Sequence, residues 1–259
     1  MALFLFAANL IELNKIKIGA VSYLNTKPLL YGIKRSPIIK DIELIEAYPS
    51  KIAQMLLDKE IDIGLVPVAV LTNMKNYYLI SDYCIGANND VASVSLFSNV
   101  PINEIETVLL DYQSRTSVAL TKVLLKHYWK KQVKFINASE NYIDEINGTT
   151  AGVIIGDRAL QHRNNYNYNY DLANAWKSLT GLPFVFATWV ANKPFDEDFI
   201  AQFNTANKDG LENINTVVSE LNIEFYDMKK YFTENISYQF DEPKKKALEL
   251  FLKFLNSDL

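Results

Sequence analysis

The chain has 259 residues, 49% hydrophobic and 22% charged, with a net charge of −4. That is a globular composition with room for one large or two smaller cores, and it lacks the basic field that nucleic acid or an anionic membrane requires. A single cysteine, Cys84, excludes a disulfide framework and thiolate-rich metal sites. The two histidines, His127 and His162, are too few for a histidine-based metal site unless carboxylates complete it, and no HExxH spacing occurs.

Residues 2–8 are apolar, but no lysine or arginine precedes them and the run is too short to span a bilayer. The reading is a short N-terminal extension of a cytoplasmic protein, with a degenerate signal peptide as the alternative. The first strand is expected at 16–21 (IKIGAV). VSYLNTKPL then leads into a helix near Pro28, whose fixed φ suits a first helical turn. A strand at 42–47 and the helix KIAQMLLDKE follow, with Ser50 as the expected N-cap and Ile52, Met55 and Leu56 at helical spacing. DIGLVPVAVL (62–71) is a continuous apolar run, typical of a strand buried on both faces. This β-α-β-α-β series implies parallel strands with right-handed crossovers.

A second series follows ASVSLFS: a strand at 106–111, the loop QSRTS, a helix over VALTKVLLKHYW, a short strand KFIN and a buried strand TAGVIIGD (150–157). Leu120, Leu124 and Tyr128 form the expected apolar stripe of that helix. NNYNYNYDLANAW reads as a surface loop entering a helix at Trp176, and TGLPFVFATWVAN as a turn feeding an aromatic strand. Residues 196–259 read as helical, with Lys244-Lys245-Lys246 on a solvated face and the tail packed on the first lobe. Cys84 reads as inert packing.

In open α/β sheets, ligands bind beyond the carboxyl ends of the strands. There this chain places Ser22, Tyr23, Asn25 and Thr26, then Ser50, then Ser114, Arg115, Thr116 and Ser117, and finally Gly156 and Asp157. Hydroxyls and amides recur, whereas paired carboxylates and histidines do not. That inventory suits an anion held by helix N-termini, with Arg115 as a possible carboxylate fork. Each also has a bland reading: Ser50, Thr26 and Asp157 as caps, Arg115 as a bridge to Asp111 or Asp157, Tyr23 as packing. No GxGxxG after a strand, no GxxxxGK[ST] and no GxSxG is present, which argues against dinucleotide, P-loop and serine-hydrolase chemistry.

VSYLNTKPL, YPSKIAQML, IDIGLVPVAVL, ASVSLFS, DYQSRTS, IIGDRAL and YDLANAW…TGLPFVFATWV occur in an order and spacing that resemble the chorismate dehydratase family of the futalosine route to menaquinone. The resemblance runs from about residue 16 to 192. It implies an α/β fold like the type II periplasmic binding proteins, two lobes joined by two crossing strands with the ligand in the cleft. The crossings would fall near 91–97 and 184–190, giving a discontinuous lobe one of 1–92 plus 189–259 and a lobe two of 93–188. GANNDVASV departs from the pattern, with Asn88-Asn89 expected to bulge the hinge, and the tyrosine-rich loop is longer.

The resemblance further implies a hydro-lyase that dehydrates chorismate, a small dicarboxylate, to 3-[(1-carboxyvinyl)oxy]benzoate, with no cofactor, metal, nucleic-acid or membrane partner. Carried over by motif, Asn25 would reach the leaving hydroxyl or ring, and Ser93, Thr116 and Ser117 would hold the ligand with Ser50. Ser22 stays undecided. Asp157 would orient donors or act as base. The absence of an evident protein base suggests that the substrate's own side-chain carboxylate takes the proton. The rival readings are a non-catalytic small-anion binding protein of the same fold, the sister enzyme acting on cyclic futalosine, and a ligand-sensing domain of a regulator. The sequence leaves the oligomeric state open.

Overall fold

A computed structural model describes residues 15–258; the expected N-terminal extension, residues 1–14, lies outside them. Strand β1 (Ile16–Val21) is followed by helix α1 (Lys27–Arg35), β2 (Ile42–Ala47), α2 (Pro49–Leu57) and β3 (Ile63–Pro67). β1 pairs in parallel with both β2 and β3, as the apolar runs predict. β4 (Tyr78–Ala87) then leads into β5 (Val94–Ser98) of a second sheet. That sheet is completed by β6 (Thr107–Leu110), α3 (Arg115–His127), β7 (Lys134–Asn137), β8 (Thr150–Ile155), α4 (Gly156–His162), β9 (Tyr168–Asp171) and α5 (Leu172–Thr180). The chain returns through β10 (Phe184–Ala191), α6 (Glu197–Glu212), α7 (Ile214–Glu220), the short turn α8 (Met228–Lys230), β11 (Ser237–Gln239) and α9 (Glu242–Asp258).

The strand orders are β11-β4-β10-β3-β1-β2 and β7-β6-β8-β5-β9. Each sheet mixes parallel pairs with antiparallel ones contributed by the returning strands. All eight residues of β10 are buried and belong to the first sheet, so the return from the second sheet falls at 181–183, ahead of the expected 184–190. Two α/β layers joined by two passages of chain are thus present.

Several local expectations are corrected. The tyrosine-rich stretch is partly a strand: β9 pairs with β5, and its Tyr170 hydroxyl accepts the Ile102 N–H at 2.8 Å. The C-terminal third contains β11, three residues that extend the first sheet beside β4. Lys244 is fully buried, unlike Lys245 and Lys246, because its stem lies along Gly86, which has no side chain to oppose it. Tyr128 is exposed at the end of α3 instead of continuing its stripe. α9 packs on β10 and also on α3, so the tail spans both layers. Cys84 is buried, with burial pushing its thiol up to about 12, as expected of an inert core residue.

Candidate active site

Between the sheets lies a small cavity of about 50 Å³ that opens to solvent. Its lining includes Tyr23, Asn25, Thr26, Ser93, Ser114 and Ser117 as the polar members, set among apolar walls from Ile85, Val91, Phe186 and Ile155. Helices α1, α2 and α3 all begin at this cavity, through Thr26, Pro49 and Ser114. α2 and α3 turn the positive ends of their dipoles toward it, whereas the first N–H groups of α1 are already taken, Thr26 N–H by Tyr23 O and Lys27 N–H by Leu24 O, and Pro28 has none. Among the described residues no lysine, arginine or carboxylate lines it.

At α3, Ser114 is the N-cap: its Oγ accepts the Ser117 N–H at 3.1 Å and donates to Ser117 Oγ at 3.0 Å. The Ser117 hydroxyl thereby accepts from Ser114 and retains its own proton. Thr116, one position earlier, turns away by a helical step. Its Oγ1 accepts the Ala69 N–H at 3.1 Å and is not in the lining. Arg115 is exposed and donates to Gln54 Oε1 at 3.3 Å, neither forking to the cavity nor pairing with Asp111 or Asp157. Ser50 is not a cap, because Tyr48 takes that place with Pro49 at the first helical position, leaving Ser50 inside the first turn and outside the lining. Ser22 is exposed, held by its N–H to Ala47 O.

Asn25 faces the cavity, its Oδ1 accepting from Thr26 Oγ1 at 3.2 Å and its carbonyl accepting from Tyr238 OH at 2.9 Å. Thr26 therefore supplies no cap to α1. Ser93 stands at the first crossing, fully buried, and among the described residues its hydroxyl makes no hydrogen bond of good geometry. The preceding residue, Ala92, has φ +64°, unusual for a side-chain-bearing residue. Its N–H donates to Asp171 Oδ2 at 2.8 Å and its carbonyl accepts from Arg163 Nη1 at 2.9 Å. Asn88 and Asn89 lie between β4 and β5, where Lys177 Nζ donates to Asn89 Oδ1 at 2.6 Å.

Asp157 sits behind the cavity in the first turn of α4 and accepts the Leu24 N–H at 3.1 Å, spanning the two layers. Burial raises its carboxyl above the usual range. Tyr23, read from sequence as packing, lines the cavity and donates to Gln113 Oε1. Arg158 Nη2 donates to the same oxygen at 3.1 Å and to Asp111 Oδ2 at 2.6 Å, where Tyr142 OH also donates at 2.7 Å. Burial raises Asp111 too, against the pull of Arg158. Gly156 has φ +62°, and a Cβ there would meet the Tyr23 ring at 2.9 Å, so glycine is what lets that ring close over the end of β8. Gln113, Arg158 and Tyr142 were not legible as a set: they are brought together only by β6, β8 and α4 meeting. Among the described residues no three His, Cys, Asp or Glu side chains gather as a metal site would need.

A chorismate dehydratase of Thermus thermophilus is 24% identical over 262 aligned positions, covering 92% of this chain and 94% of that protein. One of Campylobacter jejuni is 27% identical over 243, covering 91% and 95%. Among solved structures, protein AF1704 from Archaeoglobus fulgidus superposes with a TM-score of 0.75 at 11% identity, covering 94% and 97% of the two chains. A Candida albicans protein described as having the generic periplasmic binding protein fold gives 0.63 at 13%, covering 94% and 95%. The alkanesulfonate-binding protein SsuA of Xanthomonas axonopodis gives 0.60 at 12%, covering 94% and 92%. The fold is accordingly the two-lobed α/β fold of periplasmic binding proteins. Because the model of the menaquinone biosynthesis family matches residues 16–257, the chain belongs to that family.

Proposed function

We propose that this protein is a hydro-lyase that dehydrates chorismate to 3-[(1-carboxyvinyl)oxy]benzoate in the futalosine route to menaquinone, working in the cytoplasm. The two sheets are its lobes, dividing near residues 93 and 182, and the substrate lies between them. The observation that carries the reading is the cavity itself: the N-termini of α2 and α3 and the side chains of Asn25, Ser93 and Ser117 converge on a space with apolar walls. A cyclohexadiene ring with two carboxylates needs that combination. The naming of the relatives as chorismate dehydratases supports the same substrate.

Ser117 and the N-terminus of α3 hold one carboxylate with neutral donors. Asn25 and Ser93 face the leaving hydroxyl. The ring C–H beside the enol-ether oxygen passes its proton to the substrate's own side-chain carboxylate, the ring C–O bond breaks, and hydroxide leaves as water with a proton. Donors fixed before reaction stabilise the charge that develops on the conjugated carboxylate, and the clasp supplies the proximity a substrate-borne base needs. Asp157 holds the Leu24 backbone, and with it the loop that carries Asn25. Mixing purified protein with chorismate and following ultraviolet absorbance and product mass tests the reading. Loss of one water is expected; binding without turnover would instead make the protein a receptor.

A further inference from the structure

Tyr231 falls in none of the motifs read from sequence and does not line the cavity. It opens a π-helical turn, Tyr231–Asn235, a rare backbone form that recurs at functional sites. The residue is wholly buried, its ring edge-on to Tyr226 at 6.0 Å and tilted against Phe232 at 5.6 Å. Its hydroxyl faces the side chains of Ser93 and Asn25. Among the described residues neither that hydroxyl nor the hydroxyl of Ser93 makes a hydrogen bond of good geometry, although the two lie close enough to influence each other. Buried hydroxyls are ordinarily satisfied, because an unmade bond forfeits solvation with nothing in return. Two buried hydroxyls this close without a well-formed bond between them, one of them on the cavity wall, are poised for a bound group at Ser93 to draw into register.

The turn is pinned where it stands. Asn235 Nδ2 donates to Asp90 O at 3.1 Å, three residues before Ser93, and Tyr226 OH donates to Asn235 Oδ1 at 3.0 Å. Tyr238 OH donates to the carbonyl of Asn25 at 2.9 Å. The C-terminal third is thereby tied to both segments that carry ligand-facing side chains. Burial raises the Tyr231 hydroxyl well above its usual range, so it stays protonated and acts as a neutral donor.

Building on the dehydratase reading, we propose that Tyr231 is a positioning residue: its hydroxyl donates to Ser93 Oγ once substrate is bound and turns the Ser93 proton toward the leaving hydroxyl. A donor that itself accepts a hydrogen bond is polarised by it, so Ser93 becomes a better donor than a lone serine.

The test is Tyr231→Phe, which removes a single oxygen and leaves the ring packing in place. The ligand-free variant is expected to melt at or above the wild-type temperature, because a hydroxyl without a well-formed bond leaves a dry site. On chorismate, kcat is expected to fall at least about tenfold with KM changed less than about twofold. The double variant Ser93→Ala with Tyr231→Phe should be no slower than Ser93→Ala alone. Wild-type kcat in Tyr231→Phe overturns the proposal, as does a loss that adds fully to that of Ser93→Ala. A clear drop in ligand-free melting temperature would also overturn it, by showing that the hydroxyl serves the fold. If wild-type protein leaves chorismate unchanged, the dehydratase reading itself fails and takes this proposal with it, an outcome distinct from an active wild type with an unaffected variant.

Discussion

The carboxylate of Asp171 accepts the backbone N–H of Ala92 at 2.8 Å, tying the start of α5 to the passage between the sheets. The other carboxylate oxygen caps α5 through Ala173 and Asn174 at 3.0 and 3.2 Å. One side chain thus holds a helix and a left-handed hinge residue, and Ser93 follows that hinge directly.

Burial pushes the Asp171 carboxyl from 3.8 to about 6, with Asp90 adding to the shift and the backbone donors opposing it. Because the folded value lies above the unfolded one, this group's contribution to stability is fully present below about pH 4. It is lost as pH rises through 6, at a cost on the order of 2–3 kcal/mol at neutral pH. Asp171→Asn cannot titrate. Its stability relative to wild type in urea should therefore improve by about 2 kcal/mol between pH 4.5 and 7.5, while its turnover at pH 7.5 falls because the amide faces the Ala92 N–H. A stability difference that stays level across that range would refute the linkage.

Asp157 could be a base or an organiser, and two substitutions separate the roles. Its Oδ1 accepts the Leu24 N–H, a bond that asparagine can keep and alanine cannot. Asp157→Asn is expected to retain kcat within about tenfold, and Asp157→Ala to lose about a further tenfold through the freed Asn25 loop. Steady-state kinetics on chorismate decide it: a loss beyond about a thousandfold in the asparagine variant would mark a true base.

What could be read in advance follows from how local its causes are. β1 and β2 appeared at their observed bounds because apolar runs ended by polar or proline residues are local signals. The misplaced cap at Ser50 shows a competing local effect, since Pro49 occupies the first helical position and shifts the cap to Tyr48. Thr116 and Ser117 were indistinguishable as letters, and only the phase of α3 turns one to Ala69 and the other to the cavity. Tyr231 lies 206 residues beyond Asn25 in a stretch that reads as plain helix. Nothing local marks its meeting with Ser93, which the tertiary path alone creates.

The paired serines of α3 should separate stability from binding. Ser114→Ala removes the cap and is expected to cost about 1 kcal/mol in urea denaturation. Ser117→Ala leaves that cap's oxygen in place and should cost less. On chorismate, Ser117→Ala is expected to lose about tenfold or more in kcat/KM, and Asn25→Ala likewise, without loss of fold. Full activity in both would sink the present site assignment.

The last prediction concerns the support beneath the loop that carries Asn25. α1 packs on α6 so closely that a Cβ on Gly210 would meet Pro28 O at 1.9 Å, and one on Gly32 would meet Ala206 O at 1.9 Å. No rotamer relieves a clash with backbone, so the helices must part. Parting them moves Pro28, two residues after Thr26 and three after Asn25. Gly210→Ala is therefore expected to lower stability by about 2 kcal/mol or more and to reduce kcat even at temperatures where circular dichroism shows the variant folded. Exposed Gly181, whose Cβ would meet nothing, is the control at the same kind of residue: its φ of +75° predicts strain of about 1 kcal/mol in Gly181→Ala but no change in turnover of the folded fraction. Equal losses of turnover in the two variants would show that the α1–α6 contact does not position the site.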